Sequence, residues 1–223
     1  MDERPADPRV RAARTKRIRT RAALIAAADS AFSRRGWAAT RIEDIADAAG
    51  VSPATAYNHF PTKHALLGAV YEPHVRGLVH QAEQDIAAGR PVVDALVDQV
   101  NALARLSWYH RGLTASFTAA VFDYTIRTGK APDPDDEADP RILAPLNVPL
   151  LLLVQHGQAT GELRSHPPAN EISGIVVNLL LVRSINRKEE PPAVIADLML
   201  TLLFGALRPE LVVARDGDGS VWG

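Results

Sequence analysis

Thr40-Arg-Ile-Glu-Asp-Ile-Ala-Asp-Ala-Ala-Gly-Val-Ser-Pro-Ala-Thr-Ala-Tyr-Asn-His-Phe60 is the stretch that decides the fold. It reads as two short helices joined by a tight turn. Ile42, Ile45, Ala46 and Ala49 recur at helical spacing behind Thr40, whose hydroxyl is placed to cap the first helix. Gly50 falls where the chain must reverse, and glycine enters the left-handed region without steric cost. Ser52 followed by Pro53 is a cap plus a first-turn proline, so a second helix starts there. Ala46 is small where the two helices cross, while Val51, Ala56 and Phe60 point back into a shared core. Left outward on the second helix are Ala54, Thr55, Tyr57, Asn58 and His59. These side chains are short, or planar and hydrogen-bonding, as a helix lying in a major groove requires. The stretch is a helix-turn-helix, and it points to DNA binding.

Thr40, Ile45-Ala46, Ala49-Gly50-Val51-Ser52, Thr55, Tyr57, His59-Phe60, Lys63 and Leu66 together resemble the DNA-binding domain of the TetR family of repressors. Motifs carry the resemblance from about Arg19 to Leu67; beyond that, only helix order and length are similar. The resemblance implies that Thr40, Tyr57 and Lys63 contact phosphate and that the outer face of the second helix reads bases. Residue chemistry agrees. Thr40 would set a hydroxyl beside free backbone N–H groups, Tyr57 has a long reach and a phenolic donor, and Lys63 is a point charge on a flexible stem. Arg41 would add a further phosphate contact, and Ser52 completes this set at the helix start. Base readout falls, in family terms, to Pro53, Ala54, Thr55, Asn58 and His59. Asn58 is of the type that bonds adenine twice, and Pro53 or Ala54 suits a thymine methyl. Alternatives stay open: half-buried packing for Tyr57, plain solvation for Lys63, and packing against Lys63 and the turn for His59. The family often has Lys or Gly where Pro53 and Ala54 stand, so no operator sequence carries over. Glu43 and Asp44 are accounted for as complements to a helix dipole.

The remaining chain has the composition of a helical protein. Hydrophobic residues make up 47% of the 223 and aromatics only 5%, with Ala and Leu, both strong helix formers, dominant. The long Val/Ile/Thr alternations of strands are absent, so the fold class is all-α. The chain has no cysteine, which excludes disulfides, thiolate metal sites and a Cys nucleophile and fits a reducing cytoplasm, the expected location. The N-terminus has no apolar signal segment, and the longest apolar run, Val148 to Val154, is interrupted by Pro149 and too short to span a bilayer. No membrane is therefore expected as a partner. Net charge is −1, yet residues 1–64 hold 12 Lys/Arg against 7 Asp/Glu and residues 65–223 hold 13 against 19. A basic front on an acidic remainder fits one end facing phosphate.

Four parts and about nine helices are expected. Residues 1–17, with Arg9, Arg11, Arg14, Lys16 and Arg17, form a disordered basic arm, either a solvated tail or an arm that orders on DNA. Residues 18–64 form the DNA-binding domain, whose first helix runs from Thr20 to Arg35 on a buried stripe of Ala22, Ile25, Ala28 and Phe32 and ends at Gly36. Residues 65–208 form a C-terminal ligand-binding and dimerisation domain, and 209–223 a mobile tail. A fourth helix should run from Lys63 to about Ala88 with a kink or break near Pro73. The fifth spans Val92 to His110, and the sixth ends near Arg127. An acidic Pro-rich loop fills 129–140, and a seventh helix covers Ile142 to Thr160, disturbed by Pro145 and Pro149. The eighth runs from Ala169 to Arg187 and the ninth from Pro192 to Leu207.

A lone helix-turn-helix has few base contacts, so specific binding to a short palindromic operator in double-stranded DNA needs a homodimer. The eighth and ninth helices are apolar around most of their circumference, which nominates Ile172, Ile175, Val176, Leu179, Val194, Leu198 and Leu202 for the interface; a plain one-chain core is the alternative. The resemblance further implies a pocket for a small organic effector. Leu103, Trp108, Tyr109, Phe117, Phe122, Tyr124, Asn147, Gln155 and His156 are the candidate lining, with ordinary core and surface roles as the alternative. No two of the seven His stand at metal-ligand spacing with a carboxylate partner, so neither metal nor other cofactor is expected. Gly-x-Ser-x-Gly, phosphate-binding Gly loops and His-Glu-x-x-His are all missing, which disfavours an enzyme. A helical scaffold would explain the C-terminal part but not the basic helix-turn-helix.

Overall fold

The structure, a computed structural model, describes residues 8–208, and side chains from Arg9 onward. Residues 1–7 of the expected arm and the expected tail from 209 lie outside the described residues. Within them the chain is helical throughout. Its elements are α1 (Pro8–Ala39), α2 (Ile42–Ala48), α3 (Pro53–His59), α4 (Lys63–Ala87) and α5 (Val92–Tyr109), then α6 (Arg111–Thr128), α7 (Pro140–Leu143), α8 (Val148–Thr160), α9 (Ala169–Asn186) and α10 (Pro192–Leu207).

Helix α1 starts well before the expected Thr20, so residues 8–17 are ordered as helix rather than as a disordered arm. Residues 9–19 are all exposed, so no buried face drives this part of the helix. Absence of an apolar stripe suggested disorder, but the run from Arg9 to Thr20 has no Gly or Pro, and Ala, Arg and Lys are strong helix formers. The buried stripe is rotated from the expected one. Leu24, Ala28, Ala31 and Phe32 face inward, Ile25 is half-buried, and Ala22 is exposed. The backbone leaves helical geometry at Gly36 (φ 79°, ψ 172°), and a last turn carries Trp37.

Helices α2 and α3 form the expected pair, with Gly50 at φ 68° in the turn between them. The Ser52 hydroxyl accepts the Thr55 N–H at 3.2 Å and caps α3. Thr62 caps α4 by accepting from the Ala65 N–H at 3.0 Å. Helix α4 then runs unbroken through Pro73 to Ala87. The expected seventh helix divides. Pro145 and Pro149 lack N–H donors, and Asp139 caps only the four-residue α7 before the chain turns and restarts as α8. That split brings the total to ten helices among the described residues.

One continuous set of buried side chains runs from Leu24 on α1 to Leu207 on α10. The regions expected as separate domains at 18–64 and 65–208 therefore share a core. Helix α1 lies directly on α6: the Ser116 hydroxyl donates to the Phe32 carbonyl at 2.8 Å, and a Cβ at Gly112 would overlap the Ser33 carbonyl oxygen. That oxygen is backbone and cannot swing away. Gly112→Ala should therefore destabilise the fold by about 1–3 kcal/mol, the range for overpacking a well-packed site. Gly77→Ala, where a Cβ meets nothing within 4 Å, should instead stabilise by about 1 kcal/mol. Urea unfolding of both variants checks the pair, and equal stability would refute the close approach of α1 and α6.

Candidate nucleic-acid interface and interior cavity

Helix α3 presents Pro53, Ala54, Tyr57 and Asn58 to solvent, with Ser52 exposed just before them and Thr55 and His59 half-buried. Ala56 and Phe60 turn inward as expected, whereas Val51 is only half-buried. The Thr55 hydroxyl shares a 2.9 Å hydrogen bond with Ser52, so both are tied to the cap. His59 has Arg17 and Arg21 of α1 near it. Burial and these cations lower its pKa, which favours the neutral ring.

Thr40 departs from expectation. It is buried, and its hydroxyl donates to the Gly36 carbonyl at 2.7 Å instead of capping α2. The N-cap of α2 is Arg41, which makes no side-chain cap bond. The carbonyls released where α1 breaks at Gly36 are satisfied this way, and α2 goes without a cap. Arg41 is exposed, 3.7 Å from Glu43, and the Tyr57 hydroxyl donates to the other Glu43 oxygen at 3.1 Å. Glu43 thus holds two expected phosphate contacts, a role beyond complementing the helix dipole. Its carboxyl pKa is lowered by its own backbone N–H and by Tyr57, while the Tyr57 pKa is raised by the same bond. Asp44 pairs with Arg35 at 3.2 Å.

Lys63 sits at the junction of α1 and α4. Its ammonium donates to the Trp37 carbonyl at 2.5 Å and lies 4.0 Å from the centre of the Trp37 ring. Burial lowers its pKa, partly offset by Asp123. The next residue, His64, is buried with Nε2 2.8 Å from an Asp123 carboxylate oxygen, and its ring packs on Trp37 at 4.7 Å and edge-on to Tyr124 at 5.2 Å. Asp123 is also 3.7 Å from Arg127. Desolvation pushes the His64 pKa below its ordinary value, with Asp123 opposing. Nothing in the local sequence links residues 37, 64 and 123; only the fold brings them together.

A cavity of about 400 Å³ opens among α6, α7, α8 and α9. Of the nine residues expected to line a pocket, only Phe117 and Asn147 do. Leu103 is a core residue, Tyr109, Phe122 and Gln155 are exposed, and His156 is half-buried elsewhere. Trp108 and Tyr109 border a separate surface hollow at the α5–α6 turn. Tyr124 donates to Asp136 of the acidic loop. Helical spacing explains these departures: α6 buries the face of Leu113, Phe117 and Ala120, which turns Phe122 outward. Missed by sequence reasoning was Arg141 in the cavity wall, paired with the buried Asp139 at 2.7 Å across Pro140. Spacing also could not show that His74 of α4 meets His110 at the α5–α6 turn, ring centres 4.4 Å apart. No group of three or more His, Cys, Asp or Glu suited to a metal occurs among the described residues. No described helix is long and apolar enough to cross a membrane.

The nominated interface residues separate into two sets. Ile172 and Val176 are buried inside the single chain, because they lie on the α9 face that packs on the bundle, and so drop out of a surface. Ile175, Val194 and Leu202 are exposed, and Leu179 and Leu198 half-buried, on the outer faces of α9 and α10. Val182 extends the same apolar strip.

Residues 24–70 match the family model described as bacterial regulatory proteins, tetR family. The transcriptional activator FasR of Mycolicibacterium smegmatis is 40% identical over 83 residues, covering 37% of this chain and 38% of FasR. The transcriptional regulator CymR of Pseudomonas putida is 34% identical over 89 residues, covering 40% of this chain and 44% of CymR. The matches thus span about two fifths of these relatives' length. Among solved structures, the TetR-family repressor FadR of Thermus thermophilus, in complex with lauroyl-CoA, superposes with a TM-score of 0.66 at 23% identity, over 90% of this chain and 100% of that one. RolR in complex with resorcinol gives 0.56 at 23% identity, over 84% and 89%. At these identities the structural likeness establishes the fold.

The His64 site has a consequence for pH. Its pKa is lower in the fold than in the unfolded chain, so below about pH 6.5 the unfolded chain binds more protons and stability falls. Above that value the contribution is fully present. His59 and His74 are shifted the same way and keep part of the slope. His64→Gln should therefore flatten, without abolishing, the decline in unfolding free energy between about pH 7 and pH 5. Urea titrations across that range check it; an unchanged slope would contradict the burial of a neutral His64.

Proposed function

We propose that this chain, which belongs to the TetR family of transcriptional regulators, binds a short palindromic operator as a homodimer and represses until a small organic molecule releases it. The observation that carries DNA reading is the outer face of α3, where Pro53, Ala54 and Asn58 stand exposed beside the exposed Arg41 and Tyr57. A capped helix with a short polar face fits a major groove. Residues 18–64 act as the reading head and 65–208 as the ligand-binding and dimerisation part. Lys63 remains a phosphate contact in this account, since an ammonium has three donors and the Trp37 carbonyl takes one. On DNA the Tyr57 hydroxyl leaves Glu43 for a phosphate. Thr40 stays buried and acts through the turn it holds.

Repression is favoured by likeness to FadR, although FasR is an activator, and the direction of control follows from where the operator lies. Binding of lauroyl-CoA by FadR and resorcinol by RolR motivates a ligand for the interior cavity, whose volume lies within the range of small-molecule sites. A DNA-bound regulator works in the cytoplasm, and no catalytic step enters this account.

Selection of a bound DNA sequence followed by mobility shift tests the interface. Asn58→Ala should change base preference by about 1–3 kcal/mol at one position, as loss of a two-bond base contact does. Tyr57→Phe should weaken binding to all sequences alike. Parent-like binding by both variants would reject this face.

Assembly makes a separate prediction. Leu202 is 46% exposed in the single chain, so Leu202→Glu should leave the fold intact and yield monomers that lose operator affinity. Light scattering decides: a monodisperse monomer for the unaltered protein at micromolar concentration would refute the dimer.

A further inference from the structure

We infer that the half-open cavity among α6, α7, α8 and α9 accepts uncharged, largely apolar organic molecules and rejects anionic ones, an inference that rests on the ligand-binding role proposed above. Its walls are aliphatic and aromatic: Phe117 and Val121 from α6, Ile142 and Leu146 from α7 and the turn after it, Val177 and Leu181 from α9. The polar groups in the lining are Arg141, Asn147 and Asn178. An arginine in such a wall would ordinarily mark a site for a carboxylate or phosphate. Here its charge is already matched. Arg141 Nε lies 3.0 Å from both Asp139 carboxylate oxygens, and Nη2 lies 2.7 Å from one of them. Nη2 also donates to the Lys130 carbonyl at 3.2 Å. Asp139 is 1% exposed, so water does not loosen the pair.

An anion entering this space would find a neutral pair. It would have to displace Asp139 and leave a buried carboxylate uncompensated, or sit unpaired itself. Either outcome leaves one charge unmatched against a largely apolar wall, which is unfavourable. The approach adds to this. Pro132 lines the cavity, and its loop carries Asp133, Asp135, Asp136 and Glu137 against one Lys130, a negative field at the cavity's edge. What remains available are the Asn147 and Asn178 side-chain amides and the Nη1 N–H groups of the charge-matched Arg141, which suit a hydroxyl or carbonyl on a neutral ligand.

The test uses β-naphthol and β-naphthoate, which match in shape and differ in charge at pH 7, titrated calorimetrically into the full chain. The neutral compound should bind at least tenfold more tightly. Gly174 lines the cavity and a Cβ there meets nothing within 4 Å, so Gly174→Leu should fill the space, keep the helix and abolish naphthol binding. Asp139→Asn keeps an oxygen for Arg141 but leaves the guanidinium charge unmatched, and should raise naphthoate affinity at least tenfold. Naphthoate binding the parent as tightly as naphthol, or failing to gain from Asp139→Asn, would overturn the charge selection and leave the cavity's role standing. Binding of neither compound, or naphthol binding that survives Gly174→Leu, would overturn both.

Discussion

Helix α1 ends where α4 begins, and the arrangement of the two halves depends on what satisfies that end. A helix C-terminus exposes carbonyls and partial negative charge, which a cation relieves. Lys63, the first residue of α4, supplies it at the Trp37 carbonyl, with its stem and charge over the Trp37 ring. His64 then packs on the same ring and reaches Asp123 on α6. Phe32 stacks on Trp37 as well, at 5.9 Å. With Ser116 and Gly112 holding α6 against α1, three helices meet around one tryptophan, and none can shift without disturbing the other two.

This junction and the cavity share helix α6. Helix α6 contributes Phe117 and Val121 to the cavity wall and, within the next turn, Asp123 and Tyr124 to the junction. Arg141 completes the link, with its guanidinium 5.8 Å from the Tyr124 ring centre while its side chain lines the cavity. A ligand acts only through unequal affinity for two arrangements. Under the proposed ligand control the element with two arrangements is α6, and a change in its position would reach α1 first, then α2, and α3 through α2, against which it packs.

The helix-turn-helix was legible in the sequence because its signals are local: a glycine at the turn, a Ser-Pro start, apolar residues at helical spacing. The same holds for α5, α9 and α10, whose ends fall within about a residue of expectation. The failures have physical causes. Thr40 has the chemistry of a cap, but the break at Gly36 leaves carbonyls that claim its hydroxyl first. Residues 8–17 lack a buried face yet keep strong helix propensity, so periodicity gave the wrong answer. Aromatic residues pointed to a pocket, but burial depends on helix rotation, which left Phe122 outside and Phe117 inside. The Lys63–Trp37, His64–Asp123 and Tyr57–Glu43 contacts join positions 14 to 59 residues apart, and no motif encodes them.

Two copies reading one palindromic operator must hold their α3 helices at the spacing of adjacent major grooves. The chain has no cysteine, so Ala48→Cys places a single spin label on the exposed face of α2 in each reading head, clear of the base-facing side of α3, and the fixed α2–α3 geometry converts the label separation into the α3 separation. Pulsed dipolar spectroscopy of the labelled protein on its selected operator measures the label separation directly. A distribution of α3 separations centred near one DNA turn, about 34–36 Å, is the predicted result. Absence of dipolar coupling, or a spacing that fits no whole number of helical turns, would contradict it.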